Sequence, residues 1–294
     1  MSHHGRAVPS RIHRRGCLVS KVLVIDLAIC NGCHNCQIAC KDEHVANDWT
    51  PIAKPQPDTG QFWNKVINLE RGTVPKVQVT YHHTICQHCE EAPCIEACPA
   101  GAIYRRADGI VIIDPQNCRG NQLCLEACPY ENVIYFNDDL NIAQKCTFCA
   151  HLLDRGWSET RCSDACPTGA FTFGEEDDPK LKDLLAGAQL LKPELPTRPR
   201  VYYLNLPKKW IAGAIYDSEA DECTEGARVT ARNAETGETV SATTDNYGDF
   251  WLKGLPDGTY TLTIEKAGYL TQKLGPIDAT STDQNLGDIV LWKA

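Results

Sequence analysis

The chain carries four closely spaced cysteines in the stretch Cys30-Asn31-Gly32-Cys33-His34-Asn35-Cys36-Gln37-Ile38-Ala39-Cys40. Their spacing, C-x2-C-x2-C-x3-C, is the one that wraps a chain around a cubane iron–sulfur cluster. In this arrangement the first three thiolates hold one cluster and the fourth reaches a neighbouring cluster. The stretch therefore predicts iron–sulfur clusters that come in pairs.

Three further cysteine groups follow, and with the first they contain all of the chain's cysteines except Cys17 and Cys223, which we interpret as free thiols. Proline follows the last cysteine of each later group, where it removes an N–H as the chain turns away from the cluster. The third group is one cysteine short. The three groups are Cys86, Cys89, Cys94 and Cys98; Cys118, Cys124 and Cys128; and Cys146, Cys149, Cys162 and Cys166.

Two other uses of cysteine are less compatible with this pattern. Structural zinc takes four cysteines in two C-x2-C knuckles, which leaves the third and fourth cysteines of the first group unexplained. Disulfides require an oxidising compartment, and the sequence contains nothing that resembles a secretion signal. The spacing favours iron–sulfur clusters over both.

Composition and the N-terminal residues limit the class of protein. The chain has 294 residues and a formal net charge of -9, which leaves room for two or three domains and no electrostatic basis for binding nucleic acid. Its apolar runs are far shorter than the roughly 20 residues that span a bilayer. Arg14-Arg15 suggests a twin-arginine signal, but the apolar core of such a signal does not follow. We expect a cytoplasmic protein without direct membrane insertion, whose residues 1–20 are a disordered extension.

The cysteine-rich region, residues 21–174, is internally repeated. The segment Cys94-Ile95-Glu96-Ala97-Cys98-Pro99 resembles Cys124-Leu125-Glu126-Ala127-Cys128-Pro129, and the fourth group repeats the pattern. Each repeat predicts a cluster loop, a short helical turn and a strand. Residues 41–85 form an insertion without clear periodicity, whose aromatic residues suggest either a partner-docking surface or a small local core.

Two different segments follow the cysteine groups. Residues 175–209 predict a helix that begins at Pro179 and runs to about Leu191, then a proline-rich extended arm. Residues 210–294 show period-two strands separated by turn residues and resemble a transthyretin-like, or carboxypeptidase-regulatory-like, sandwich. The whole chain is therefore expected to be α+β, with duplicated ferredoxin-like two-cluster domains followed by an all-β sandwich.

Residues 21–205 resemble the four-cluster iron–sulfur subunits of the dimethyl sulfoxide reductase family of molybdopterin enzymes. Besides the cysteines, the resemblance rests on three short motifs: Cys86-Gln87-His88-Cys89, Lys145-Cys146-Thr147-Phe148-Cys149 and Arg198-Pro199-Arg200-Val201-Tyr202-Tyr203. Because a sandwich follows, the chain is most similar to the small subunits of the pyrogallol–phloroglucinol transhydroxylase and resorcinol hydroxylase group.

This resemblance implies a ligand set for each cluster. Groups one and four share two clusters, and groups two and three share the other two. The implied sets are Cys30, Cys33, Cys36 and Cys166; Cys40, Cys146, Cys149 and Cys162; Cys86, Cys89, Cys94 and Cys128; and Cys98, Cys118 and Cys124. Asn121 stands where the family has the missing cysteine. We therefore expect three [4Fe-4S] clusters and one [3Fe-4S] or atypical [4Fe-4S] cluster, with the alternative that the fourth site holds none.

The resemblance also implies partners. We expect a large catalytic subunit that alone carries a molybdenum or tungsten bis-pterin, and a downstream electron acceptor. The first hypothesis is an electron-transfer subunit, without catalytic residues, of a phenolic hydroxylase or transhydroxylase. One alternative is a subunit of a respiratory reductase fed by a quinol anchor, and another is a free polyferredoxin. The residues His88 and Lys145 flank ligand positions, where they either tune a cluster's potential or are solvated.

Overall fold

The computed structural model describes residues 20–294, so the predicted extension and Cys17 lie outside the described residues. The chain divides into two units. The first contains residues 20–25, 34–65 and 84–204, and the second contains residues 26–33, 66–83 and 205–294. Within residues 20–294, none of the helices combines the length and apolar character that a membrane-crossing helix needs.

Most helices and strands of the cysteine-rich region are short. The helices are α1 (Asn35–Val45), α2 (Pro93–Glu96), α3 (Leu123–Ala127), α4 (Ala150–Leu153), α5 (Arg161–Asp164) and α6 (Pro179–Gly187). The strands up to the arm are β1 (Lys21–Asp26), β2 (Asn64–Thr73), β3 (Lys76–Ile85), β4 (Ile103–Arg105), β5 (Val111–Ile113), β6 (Ile134–Asn137), β7 (Ile142–Lys145), β8 (Phe171–Glu175) and β9 (Val201–Leu204).

The repeat in the sequence corresponds to a repeat in the structure. Helix α2 precedes the antiparallel pair β4–β5, and helix α3 precedes the antiparallel pair β6–β7. Helix α5 precedes β8, which pairs antiparallel with β1 in a three-stranded sheet of order β8-β1-β9. Residues 22–25 of β1 are almost completely buried. They are all valine, leucine or isoleucine, which is the composition expected of a strand that is covered on both faces.

Helix α6 ends earlier than its sequence predicts. Asp178 caps it by accepting the Lys180 N–H at 2.9 Å, and Pro179 occupies the first turn as expected. The helix stops at Gly187 rather than near Leu191. Gln189 instead forms an isolated bridge with Tyr203 of β9, with both N–H···O distances 2.8 Å. Pairing with the arm therefore ends the helix.

The insertion is more ordered than its sequence suggests. Strands β2 and β3 form a two-stranded hairpin, most of which belongs to the second unit. There, the Arg71 guanidinium donates to both carboxylate oxygens of Asp283, at 2.7 and 2.6 Å. Asp283 is almost fully buried, so the pair is a structural ion pair rather than a solvated one.

The remainder of the second unit is a sandwich of two four-stranded sheets. One sheet has the order β11-β10-β14 with β17 parallel to β10, and the other has the order β13-β12-β15-β16. Alternate side chains of both sheets form one apolar core around Phe250, Leu252 and Tyr260. The strands are β10 (Lys209–Asp217), β11 (Glu222–Cys223), β12 (Arg228–Asn233), β13 (Thr239–Thr243), β14 (Asp249–Leu255), β15 (Thr259–Glu265), β16 (Gln272–Asp278) and β17 (Gln284–Leu291). The α+β architecture predicted from the sequence is confirmed.

Candidate iron–sulfur centres

Helix packing in the first unit brings the cysteine groups together in pairs. Helix α1, which carries Cys36 and Cys40, packs against α5, which carries Cys162. Helix α2, which carries Cys94, packs against α3, which carries Cys124. Groups one and four are therefore neighbours, and so are groups two and three.

The first cavity is lined by four buried thiols: Cys40, Cys146, Cys149 and Cys162. The side chains of Trp63, Ile85 and Phe148 contribute apolar walls. Burial raises the pKa of Cys40 well above its usual value, and the three facing thiols raise it further. A bound iron reverses this preference, since coordination deprotonates a thiol.

The second cavity is lined by Cys86, Cys89, Cys94 and Cys128. Burial raises the pKa of Cys89 and of Cys128 to about 12, and it raises the pKa of Cys94 to about 11. The thiols of this set also act on one another, because Cys86 raises the pKa of each of the other three. These side chains therefore face a common space.

A third set consists of three thiols. Burial raises the pKa of Cys124 to about 11, and the nearby thiols Cys94, Cys118 and Cys98 raise it further. The Ala143 N–H donates to Cys118 Sγ at 3.5 Å. Asn121 is exposed, and its side-chain oxygen accepts the Leu123 N–H at 3.3 Å. This oxygen is thus already used in a local turn at the start of α3.

The remaining predicted set combines Cys30, Cys33, Cys36 and Cys166. Cys36 and Cys166 belong to the first unit, and Cys166 Sγ accepts the Ala170 N–H at 3.3 Å. In the second unit, Cys33 is exposed, and Cys30 Sγ lies 3.5 Å from His83 Nε2 on strand β3. Assigning these four thiols to one cluster stays a prediction from the resemblance.

The donor set fits iron–sulfur clusters. Each of the two cavities is lined by four thiols, and thiolate is the ligand that iron–sulfur clusters take. In the part of the chain that the structure describes, no three His, Cys, Asp or Glu side chains converge closely enough to hold a single metal ion. Backbone N–H groups also donate to two sulfurs of the first cavity: Phe148 to Cys146 Sγ at 3.4 Å, and Arg161 to Cys149 Sγ at 3.5 Å. Such N–H···S bonds are among the contacts that set a cluster's potential.

The extended arm packs against the loop that carries the second cysteine group. The Glu90 N–H donates to the Arg198 carbonyl at 2.9 Å, and the Arg200 N–H donates to the Gln87 carbonyl at 2.8 Å. The Gln87 side chain donates to the Tyr203 hydroxyl at 3.1 Å. The arm motif singled out in the sequence therefore holds the loop of the second cysteine group in place.

One aromatic residue of the insertion, Trp63, is buried inside the protein, so the docking interpretation is wrong for this residue. Trp63 is 1% exposed, lines the first cavity and packs on the buried His44 ring, with centroids 4.5 Å apart. Burial and then the nearby His151 lower the pKa of His44 to about 3. Trp49 stacks on His151 at 4.4 Å. The local-core interpretation is the one that fits Trp63.

Sequence reasoning missed a polar cluster beside the first cavity and assigned no role to its histidine. Glu43 on α1 lies 3.0 Å from His151 Nε2 on α4 and 3.3 Å from Arg161 Nε on α5. One carboxylate thus joins three helices around the thiols of the first cavity. The charge pattern alone carries no signal for this cluster, because its members are distant in sequence.

Comparison with known proteins agrees with this architecture. Residues 77–176 match the 4Fe-4S dicluster domain family, and residues 211–291 match the carboxypeptidase regulatory-like domain family. The small subunit of pyrogallol hydroxytransferase from Pelobacter acidigallici is 39% identical over 89% of this chain and 96% of that one. The arsenate respiratory reductase iron–sulfur subunit ArrB from Shewanella sp. (strain ANA-3) is 34% identical over 62% of this chain and 94% of that one.

A third relative, a putative iron–sulfur subunit of dimethyl sulfoxide reductase from Halobacterium salinarum, is 33% identical over 74% of this chain and 94% of that one. These relatives are subunits of the molybdopterin enzyme class that the cysteine pattern and short motifs had indicated, so the predicted resemblance is confirmed. The chain belongs to the iron–sulfur electron-transfer subunits of the molybdopterin oxidoreductases of the dimethyl sulfoxide reductase family.

Proposed function

We propose that this chain relays electrons to or from a molybdenum or tungsten bis-pterin site in a separate large subunit, within a complex that acts on phenolic aromatics. The observation that carries this proposal is the match to the pyrogallol hydroxytransferase small subunit over 89% of the chain. The residues of this chain that lie outside the match are fewer than the residues of the sandwich, which spans 211–291. The match therefore includes part of the sandwich. The match to ArrB covers 62% of the chain.

The proposed electron path uses the four ligand sets implied by the resemblance. Cavities lined by four thiols support two [4Fe-4S] clusters, and the set of Cys30, Cys33, Cys36 and Cys166 is proposed to hold a third. Cys98, Cys118 and Cys124 are proposed to hold a [3Fe-4S] cluster, or a [4Fe-4S] cluster with an atypical fourth ligand. This subunit contributes no substrate chemistry of its own, and a downstream acceptor takes or supplies the electrons.

The need for an electron path differs between the two phenolic reactions. Hydroxylation with water releases two electrons, which must leave the active site, whereas transhydroxylation moves a hydroxyl group without net electron exchange. A nearly complete set of clusters suits the export of electrons. We therefore favour hydroxylation.

Anoxic purification of the chain with its native partners tests this function. We expect one large co-purifying chain that contains molybdenum or tungsten, and reduction of a viologen dye on addition of a phenolic substrate. A Cys124→Ser variant should retain the large subunit but lose at least about 90% of dye reduction, because the proposed path to the acceptor is interrupted.

The same preparation separates the alternatives. Phenol conversion that persists in Cys124→Ser without any dye reduction would identify a transhydroxylase. A membrane anchor in the preparation, with quinol-dependent reduction of arsenate or a sulfur compound, would contradict the phenolic function and favour the respiratory reductase. The matches to ArrB and to the dimethyl sulfoxide reductase subunit are the observations that favour the respiratory reductase as a second candidate. Absence of any metal-bearing partner would favour a free polyferredoxin.

Substitution of Asn121 tests the proposed three-iron cluster. Asn121 is exposed and its oxygen is bonded to the Leu123 N–H, so we propose that it is not a ligand. Replacing it by cysteine (Asn121→Cys) should supply a fourth thiolate and raise the iron content by about one atom per chain. The EPR signal of an oxidised three-iron cluster should be lost at the same time. Asn121→Ser is the matched control and should change neither quantity.

Absence of a three-iron signal from the native protein would contradict this proposal. Iron analysis then distinguishes the remaining cases. About sixteen iron atoms per chain would indicate an atypical four-iron cluster, and about twelve would indicate that the third group and Cys98 hold no cluster.

A further inference from the structure

Two polar residues that flank ligand cysteines are buried. His88 is 0% exposed and Lys145 is 2% exposed, so neither is a solvated surface residue. Lysine is almost never fully buried unless its ammonium group is paired or hydrogen-bonded. A buried lysine next to a proposed cluster ligand therefore needs a specific explanation.

One residue of strand β5 joins the two side chains. Lys145 Nζ donates to the Val111 carbonyl at 2.5 Å and to the Cys146 carbonyl at 3.1 Å. The Val111 N–H donates in turn to His88 Nδ1 at 3.1 Å. Because Nδ1 accepts this bond, the proton of the neutral ring is on Nε2. Among residues 20–294, His88 Nε2 has no hydrogen-bond partner although it is buried.

These residues lie where the two cavities adjoin. His88 and Val111 line the second cavity, and Phe148 lines the first. The His88 and Phe148 rings are stacked with centroids 3.8 Å apart. Lys145 directly precedes Cys146, whose thiol lines the first cavity. Lys145 Nζ is thus held between Val111, which lines the second cavity, and the backbone of Cys146, whose thiol lines the first.

The thiols near this charge lie in a dry interior, since Ala92, Val111 and Ile134 of the second cavity are all buried. A nearby cation favours negative charge on sulfur, and it does so more strongly in a dry interior than in water. Reducing an iron–sulfur cluster adds one negative charge, so the same cation favours the reduced cluster.

We propose that Lys145 and His88 form one potential-setting unit shared by the clusters of the first and second cavities. The Lys145 ammonium raises the midpoint potentials of both clusters. The His88 Nε2–H donates a hydrogen bond to the cluster in the second cavity and raises that potential further. Val111 holds both groups in place, and the unit serves the electron relay proposed above, on which it rests.

Redox titration of the purified anoxic complex, followed by EPR, tests the unit. In Lys145→Met, the ratio of reduced to oxidised cluster at a fixed potential should fall about tenfold for both clusters, a shift of about 59 mV for one electron. Lys145→Arg keeps the charge and should restore most of the ratio. His88→Phe keeps a ring against Phe148 but removes the Nε2–H, and it should lower the ratio only for the cluster of the second cavity. Cys146→Ser and Cys89→Ser each remove one cluster and so assign the signals.

Lys76→Met is the matched control, because Lys76 is 6% exposed and forms an ion pair with Asp249 rather than with a cavity residue. It should leave all ratios unchanged. Full iron content with unchanged potentials in Lys145→Met would overturn the inference. If Lys145→Met loses its clusters, His88→Phe provides the test. A lower ratio of reduced to oxidised cluster in the second cavity alone supports the unit, and an unchanged ratio overturns it. Iron missing from the native protein would instead contradict the proposed electron relay itself.

Discussion

Replacing Cys146 by serine should remove one cluster and strongly destabilise the protein. Cys146 is buried with three other thiols around the first cavity, and serine is a poor ligand for iron. We expect a loss of about four iron atoms per chain. Because metal binding contributes directly to folding free energy, the free energy of unfolding should fall by on the order of 5 kcal/mol. Iron analysis and guanidinium unfolding under anoxia measure both quantities.

Cys223→Ser is the matched control for this experiment. Cys223 is exposed on strand β11 and belongs to none of the four cysteine groups. Its replacement should change neither the iron content nor the unfolding midpoint. A Cys146→Ser protein with the full iron content of the native chain would contradict the ligand set proposed for the first cavity.

Replacing Trp63 by alanine should be the most damaging change outside the cysteines. The side chain is 1% exposed and forms a wall of the first cavity. Truncating a buried tryptophan leaves a void and typically costs about 3–5 kcal/mol. The wall that separates the proposed cluster from solvent is lost as well, so we also expect faster loss of visible cluster absorption in air. Denaturant unfolding and the rate of bleaching provide the two measurements.

Trp292→Ala provides the comparison, since Trp292 is 55% exposed and should cost within about 0.5 kcal/mol. Trp63→Phe should have an intermediate effect, because a smaller ring still fills part of the space. Native stability of Trp63→Ala combined with loss of the large subunit would restore the interpretation that this residue docks a partner.

The sequence predicted some parts of this structure well because the signals are local. The spacing C-x2-C-x2-C-x3-C of the first group, and the proline after the last cysteine of each later group, indicate cluster loops without reference to the rest of the chain. Period-two strands with turn residues between them indicated the sandwich in the same way. Local signals were weaker for the insertion, where the hairpin β2–β3 is not marked by clear alternation.

Elements whose limits depend on distant partners were predicted less well. The sequence of α6 allows a longer helix, but the bridge between Gln189 and Tyr203 ends it at Gly187. The aromatic residues of the insertion were compatible with a surface or with a core. Trp63 is in the core because it packs against His44 on α1, which is distant from it in sequence.

The sequence by itself indicated the chemistry: fifteen cysteines in four groups with the spacing typical of iron–sulfur ligands, and Asn121 where a further cysteine was expected. Ligand spacing within a loop is a property of a few consecutive residues, so it can be read directly. Only the tertiary structure decided which polar residues share the interior with those thiols. Lys145 and His88 share the interior because Val111 on β5 bonds to both of them. Burial and charge at a cluster depend on the packing of segments that are far apart in sequence, and no local pattern records that packing.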